Sequence, residues 1–140
     1  MDTVFDRLWT TETFLAWEDQ QEGKHEFDGR RVIPMTGGSI AHQRIFGNLW
    51  TLLLGLLGDG PMQPLMDMRL RIGDRVRYPD VMVCAGPLDQ NTRTGTDAEA
   101  SVEGRSDDTA TIDRVDKLLD YAALPSLRTY VLLEQTKIAA

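Results

Sequence analysis

The alternation of apolar and polar positions changes period several times along the chain, and each change marks an element. TTETFLAWEDQQ, residues 10–21, offers threonines for N-capping and places Phe14, Leu15 and Trp17 at helical spacing, which predicts a short helix. HEFDGRRVIPM sets Asp28-Gly29 between two strand-like runs, a strong local signal for a tight hairpin. GGSIAHQRIFGNLWTLLLGLLGDG carries Ile45, Leu49, Leu52, Leu53 and Leu56 at helical spacing. With Ser39 as N-cap and Gly58 as stop, it is expected to be the main core helix.

MQPLMDMRLRIG alternates through Met66, Met68, Leu70 and Ile72, which predicts a half-buried strand. A turn at Gly73-Asp74 leads into VRYPDVMVCAG, a run apolar enough for a central strand. Pro79 lies near its start, where a missing N–H is tolerated. Residues 87–110 turn polar and glycine-bearing and predict a weak or loop-like segment; within it ASVEGRSDDT offers only Val102 and small residues to a strand. IDRVDKLLDYAALP returns to helical spacing, with Ile112, Val115, Leu118, Leu119 and Ala122 on one side and Asp108 or Thr109 near its start, and LRTYVLLEQ reads as a second strongly apolar strand. The order predicts an α+β fold, a mixed α/β sheet flanked by helices, in one domain over residues 1–140.

Composition narrows the function. A length of 140 residues suffices for a real hydrophobic core. Cys84 is the single cysteine and lies in an apolar run, so it predicts a small core residue and excludes a disulfide framework or thiolate zinc site. No basic start precedes an apolar secretory segment, and TLLLGLLG is too short to span a bilayer, so a cytoplasmic protein is expected. The net charge of −7 argues against general nucleic-acid binding through phosphate neutralisation, while leaving room for a local basic face. Arg69, Arg71, Arg75 and Arg77 alternate as the solvated face of a strand or hairpin would, and Arg30 with Arg31 form a second pair.

Asp80 stands at the mouth of the apolar run RYPDVMV. Burying a lone carboxylate costs several kcal/mol, so an acid there belongs at a strand end, in a pair, or on a metal. Glu26, Asp67, Asp80 and Glu103 are the acids to weigh, with Lys117 as a cationic partner. A Mg²⁺ or Mn²⁺ ion needs only one or two carboxylates plus waters and phosphate oxygens, so acids on neighbouring strands can share one while a lysine positions the attacking water. His25 and His42 lack the spacing of a helical zinc site and read as surface or hydrogen-bonded histidines. GDGP and TGGS lack a phosphate-loop lysine, and no serine sits in a nucleophile elbow.

Taken in order, these blocks resemble the Uma2 family, also called DUF820, restriction-endonuclease relatives similar to the PD-(D/E)XK nuclease superfamily. TTETFLAWEDQQEGKHEFDGRRV resembles its opening helix and hairpin, MTGGSIAHQRIFGNLW its glycine-histidine helix start, and DMRLRI with RYPDVMVCAGP the strand pair bearing its Pro-Asp signature. IDRVDKLLDYAALPSLRTYVLLEQ looks like the helix and strand that follow the active site. The resemblance implies a restriction endonuclease-like core and Mg²⁺- or Mn²⁺-dependent hydrolysis of nucleic-acid phosphodiester bonds, with DNA the expected substrate. It implies Asp80 as the Pro-Asp metal ligand, Glu103 as the second metal-binding acid, Glu26 as the hairpin acid near the site, and Lys117 as the catalytic lysine moved into the following helix.

Departures from the family pattern set further expectations. ASVEGRSDDT replaces a bulkier apolar run, so Glu103 is expected on a poorly formed strand or loop, with Gly104 costing about 0.5–1 kcal/mol relative to alanine. Arg105 stands where the superfamily's strand lysine would be and stays protonated, so it cannot act as a base. The chain ends soon after LLEQ, which predicts a C-terminally shortened domain whose apolar edge a homodimer would cover. The alternative is a degenerate, non-catalytic relative that serves as a dimerising or nucleic-acid-binding module.

Overall fold

A computed structural model describes residues 8–35, 37–105 and 111–134. Helix α1, Thr11–Glu18, starts from a capping box in which Thr10 and Thr13 bond each other's backbone N–H groups. Strands β1, His25–Phe27, and β2, Val32–Pro34, form the hairpin; Gly29 takes φ 94° in its turn, a conformation open to glycine, and Asp28 accepts from the N–H groups of Arg30 and Arg31. Helix α2, Ile40–Leu57, begins at Ser39 and ends at Gly58, as its sequence indicates. Strands β3, Met62–Met66, β4, Arg69–Ile72, β5, Arg75–Arg77, and β6, Val81–Ala85, follow. After β7, Thr94–Gly95, and β8, Ala98–Arg105, come α3, Thr111–Ala122, and β9, Thr129–Glu134.

Two mixed sheets replace the single expected one, and the fold is α+β. Sheet A has the order β2-β1-β5-β4-β7 and sheet B the order β3-β6-β8-β9. The two strands expected at 62–72 and 75–85 are the arms of one long hairpin that changes sheets halfway. Its tip pairs β4 with β5 in sheet A, and its base pairs β3 with β6 in sheet B. Both arms break at the same level. Asp67 takes φ 51° on one arm, Pro79 removes an N–H on the other, and the Asp67 N–H donates to the Asp80 carbonyl at 3.2 Å across the break. Asp80 therefore lies where the chain passes from one sheet to the other.

Sheet B is covered on both faces. Val81 and Val102, paired across β6 and β8, pack on Phe46 of α2. On the other face Met82, Cys84 and Ala98 join Leu70 and Ile72 of β4 and Tyr121 and Leu124 from α3 and the turn after it. Cys84 is the small core residue its setting predicts. A second cluster, Phe14, Phe27, Val32 and Val76, holds α1 to sheet A.

Four expectations are corrected. Residues 98–105 are an ordered eight-residue strand inside sheet B, not a loop, because small side chains suit a strand pressed from both faces. Helix α2 buries only Phe46 fully, and Leu56 is 72% exposed, because α2 covers a single sheet face. Helix α3 turns its apolar side outward: Val115, Leu118 and Leu119 are exposed while Asp120 and Tyr121 are buried. The arginine cluster is only partly a solvated face: Arg71 and Arg75 stay half-exposed, while Arg69 and Arg77 are buried in ion pairs. Asp108 and Thr109, expected near the start of α3, lie outside the described residues.

Candidate active site at the sheet junction

The site begins with Asp80, whose exposure at a strand end is limited by the elements on either side. Its Oδ2 accepts the Gly104 N–H at 2.7 Å, because the register that sets Val81 opposite Val102 continues to bring Asp80 abreast of Glu103 and Gly104. Its Oδ1 lies 2.8 Å from Nε2 of His42, in the first turn of α2. Burial pushes the Asp80 carboxyl upward, against the Gly104 N–H and His42, and the neighbouring Asp67 charge adds to the rise.

Glu103 lies deeper. Tyr121 Oη donates to its Oε1 at 2.7 Å, Tyr130 Oη donates to Oε2 at 3.3 Å, and Lys117 Nζ stands 3.6 Å from Oε2. Burial raises the Glu103 carboxyl; the Lys117 charge and the Tyr121 hydroxyl lower it, while the Glu26 and Asp80 charges push it further up. Lys117 also lies 3.4 Å from Oε1 of Glu26, the buried hairpin acid on β1. Glu26 Oε2 accepts the Tyr78 N–H at 3.0 Å, so the hairpin carboxylate is tied to the arm that delivers Asp80.

Of the sequence-named residues, Glu26, Glu103 and Lys117 thus meet in one ion-pair cluster, and Asp80 is held on the neighbouring strand, close enough for its charge to act on Glu103. Asp67 is exposed beside them, and its carbonyl accepts from Lys24.

Several participants escaped the sequence. Arg77, 1% exposed, bonds Asp120 through Nε and Nη2 at 2.8 Å and stands 3.5 Å from Glu26 Oε1; Arg75 also donates to Asp120. These pairs dock α3 against sheet A with Lys117 aimed at the acids. The signal was present: Lys117, Asp120, Tyr121 and Leu124 recur at helical spacing, a polar face that competed with the apolar one and won. His42, by contrast, carries no spacing signal, and only the fold brings it to Asp80.

The donor set suits a hard divalent cation. All the acids offer oxygen, and an accepted hydrogen bond leaves each carboxylate oxygen a further lone-pair direction. Burial raises both Asp80 and Glu103, and His42 and Lys117 respectively oppose the rise. Among the described residues no three His, Cys, Asp or Glu side chains form a ready-made metal cage.

Three helices and two mixed sheets among the described residues, with Asp80 where the chain passes between the sheets, make up this α+β fold. The chain belongs to the Uma2 family, described as "putative restriction endonuclease", whose family model matches residues 11–139. It is similar to two uncharacterized proteins of Synechocystis sp., sll1609 and slr1290. The first is 33% identical over 135 residues, covering 92% of this chain and 76% of that protein. The second is 34% identical over 131 residues, covering 91% and 69%. The fold is similar to the crystal structure titled as a putative nuclease belonging to DUF820 from Anabaena variabilis. That match has a TM-score of 0.76 and 16% identity, and it covers 90% of this chain and 74% of that one.

Proposed function

We propose that this protein is a divalent-metal-dependent endonuclease hydrolysing nucleic-acid phosphodiester bonds, DNA being the substrate favoured. The observation that carries the reading is the half-buried Asp80 just before β6 and the buried Glu103 on neighbouring β8, with Lys117 Nζ at 3.6 Å from Glu103. Asp80 and Glu103 would hold Mg²⁺ or Mn²⁺, which when bound supplies Lewis acidity and charge neutralisation for a phosphodiester. Lys117, with its ammonium between Glu26 and Glu103, would orient the attacking water. Glu26 balances Lys117 and Arg77 and fixes the Tyr78–Asp80 segment through the Tyr78 N–H.

The ordered strand β8 supports this enzymatic reading over a non-catalytic module, because Glu103 sits abreast of Asp80 instead of on a loop. Homodimerisation belongs to the same reading: Val115, Leu118 and Leu119 of α3 and Val131 and Leu132 of edge strand β9 present apolar surface. No helix among the described residues is long and apolar enough to cross a membrane, and a cytoplasmic location is the one proposed.

Nicking of supercoiled plasmid with Mg²⁺, Mn²⁺ or EDTA tests the reading, with Asp80→Ala purified in parallel. Metal-dependent cleavage that disappears in Asp80→Ala is the expected result. No cleavage by folded wild type of either plasmid or a structured RNA, or equal cleavage by the variant, contradicts it.

A further inference from the structure

His42 has no part in the mechanism above, yet the fold makes unusual room for it. A Cβ at Gly38 would lie 2.7 Å from Cδ2 and 2.9 Å from Cγ of the imidazole, and one at Gly104 would lie 3.2 Å from its Nδ1 and 2.8 Å from the Phe46 ring. Neither glycine has a positive φ that would demand glycine for backbone reasons. What both positions need is the absence of a side chain. The ring packs against Phe46, with centroids 4.7 Å apart, and its backbone N–H bonds the Ser39 cap, so both the ring plane and its root are fixed.

Its Nε2 lies 2.8 Å from Asp80 Oδ1. An ionised carboxylate only accepts, so Nε2 carries the proton in that bond. The Gly104 N–H holds the other oxygen at 2.7 Å. Two donors on opposite oxygens, one from α2 and one from β8, fix the plane of a carboxylate that would otherwise turn about its own bonds at a strand end. Gly104 serves twice, giving its N–H to Asp80 and its missing side chain to His42.

We propose that His42 is a positioning residue for the Asp80 carboxylate, with Gly38 and Gly104 kept small to admit its ring. The proposal rests on the reading of Asp80 as a site acid but extends to a residue that reading does not use. Partners that orient a ligating side chain affect metal affinity by about 10–100-fold when removed. A carboxylate set in advance by His42 and Gly104 loses less freedom on meeting an ion or a phosphate-bound water.

The test compares wild type, His42→Ala, His42→Gln and Asp80→Ala, all checked for cooperative melting. The glutamine amide reaches the position of Nε2 and can donate there, so it is the conservative replacement. In metal-free protein the Gly104 amide, followed by NMR hydrogen exchange, is expected to exchange about tenfold faster in His42→Ala, as in Asp80→Ala, while other β8 amides keep their rates. In His42→Gln it returns to within about threefold of wild type. Calorimetric Mn²⁺ titration is expected to show affinity weakened by about 10–100-fold in His42→Ala and restored by His42→Gln. Wild-type exchange at Gly104 in His42→Ala, or equal loss in both His42 variants, overturns the positioning role. If wild type binds no Mn²⁺, the metal reading falls, and the Gly104 amide alone decides for or against His42.

Discussion

Two ionic clusters border sheet A, and they differ in how their acids are paired. In the first, Glu18 at the end of α1 accepts from Arg69 and from Tyr78 Oη, both at 2.6 Å, and from the His25 N–H at 3.1 Å; Asp19 pairs with Arg69 and Arg93. Two carboxylates meet two guanidiniums, and the cluster is closed. In the second, among the described residues, Asp80, Glu26, Glu103 and Asp120 meet Arg75, Arg77, Lys117 and His42. Asp80 and Glu103 are raised by burial there, and each feels a neighbouring acid. The first cluster fastens α1 to sheet A; the second gathers the acids proposed to hold a cation. Tyr78 bridges the two, its hydroxyl in the first and its N–H in the second.

The largest effect is expected in the closed cluster. Glu18→Ala leaves Arg69, nearly fully buried, without its main partner and should cost about 3–5 kcal/mol in urea unfolding. The double replacement Glu18→Leu with Arg69→Met should recover most of that loss, since a buried pair contributes little net stability against apolar residues of similar volume. Full loss in the double variant would mean that the cluster does more than fasten α1.

A smaller and sharper test falls on Gly104. If this glycine were the weak point its sequence suggests, Gly104→Ala would stabilise β8 by about 0.5–1 kcal/mol. The close approach of Phe46 and His42 reverses the sign: the added Cβ meets the Phe46 ring at 2.8 Å, and overpacking should cost about 1–3 kcal/mol. Chemical denaturation reads the sign directly, and a more stable variant would show that Phe46 gives way without cost.

That reversal also shows what the sequence could and could not say. Local signals were legible: Thr10 and Ser39 cap their helices, Asp28-Gly29 turns the hairpin, and Gly58 ends α2. Asp80 announced itself as an acid at a strand end, and Glu26, Glu103 and Lys117 do gather in one cluster. Much of what long-range packing decides was hidden or outweighed by a stronger local signal. The break of the long hairpin at Asp67 and Pro79 moves its base into a second sheet, which alternation alone does not register. The small residues of β8 read as a poor strand because the side chains that cover it, Phe46 and Tyr121, come from other elements, the helices α2 and α3. The apolar side of α3 pointed the wrong way because ion pairs from Arg75 and Arg77 to Asp120 hold its polar side inward.

The smallest change in stability carries the most weight. Glu103→Gln removes one charge from the acid-rich cluster while keeping an oxygen for Tyr121. The central claim is the proposal that Glu103 helps to hold a divalent cation, and the measurement is thermal unfolding of wild type and Glu103→Gln in EDTA and in rising Mn²⁺. The account predicts that in EDTA the variant melts at or above wild type, and that added Mn²⁺ raises the wild-type Tm with the logarithm of its concentration while the variant hardly responds. A variant that melts well below wild type in EDTA, or gains as much from Mn²⁺, would contradict it.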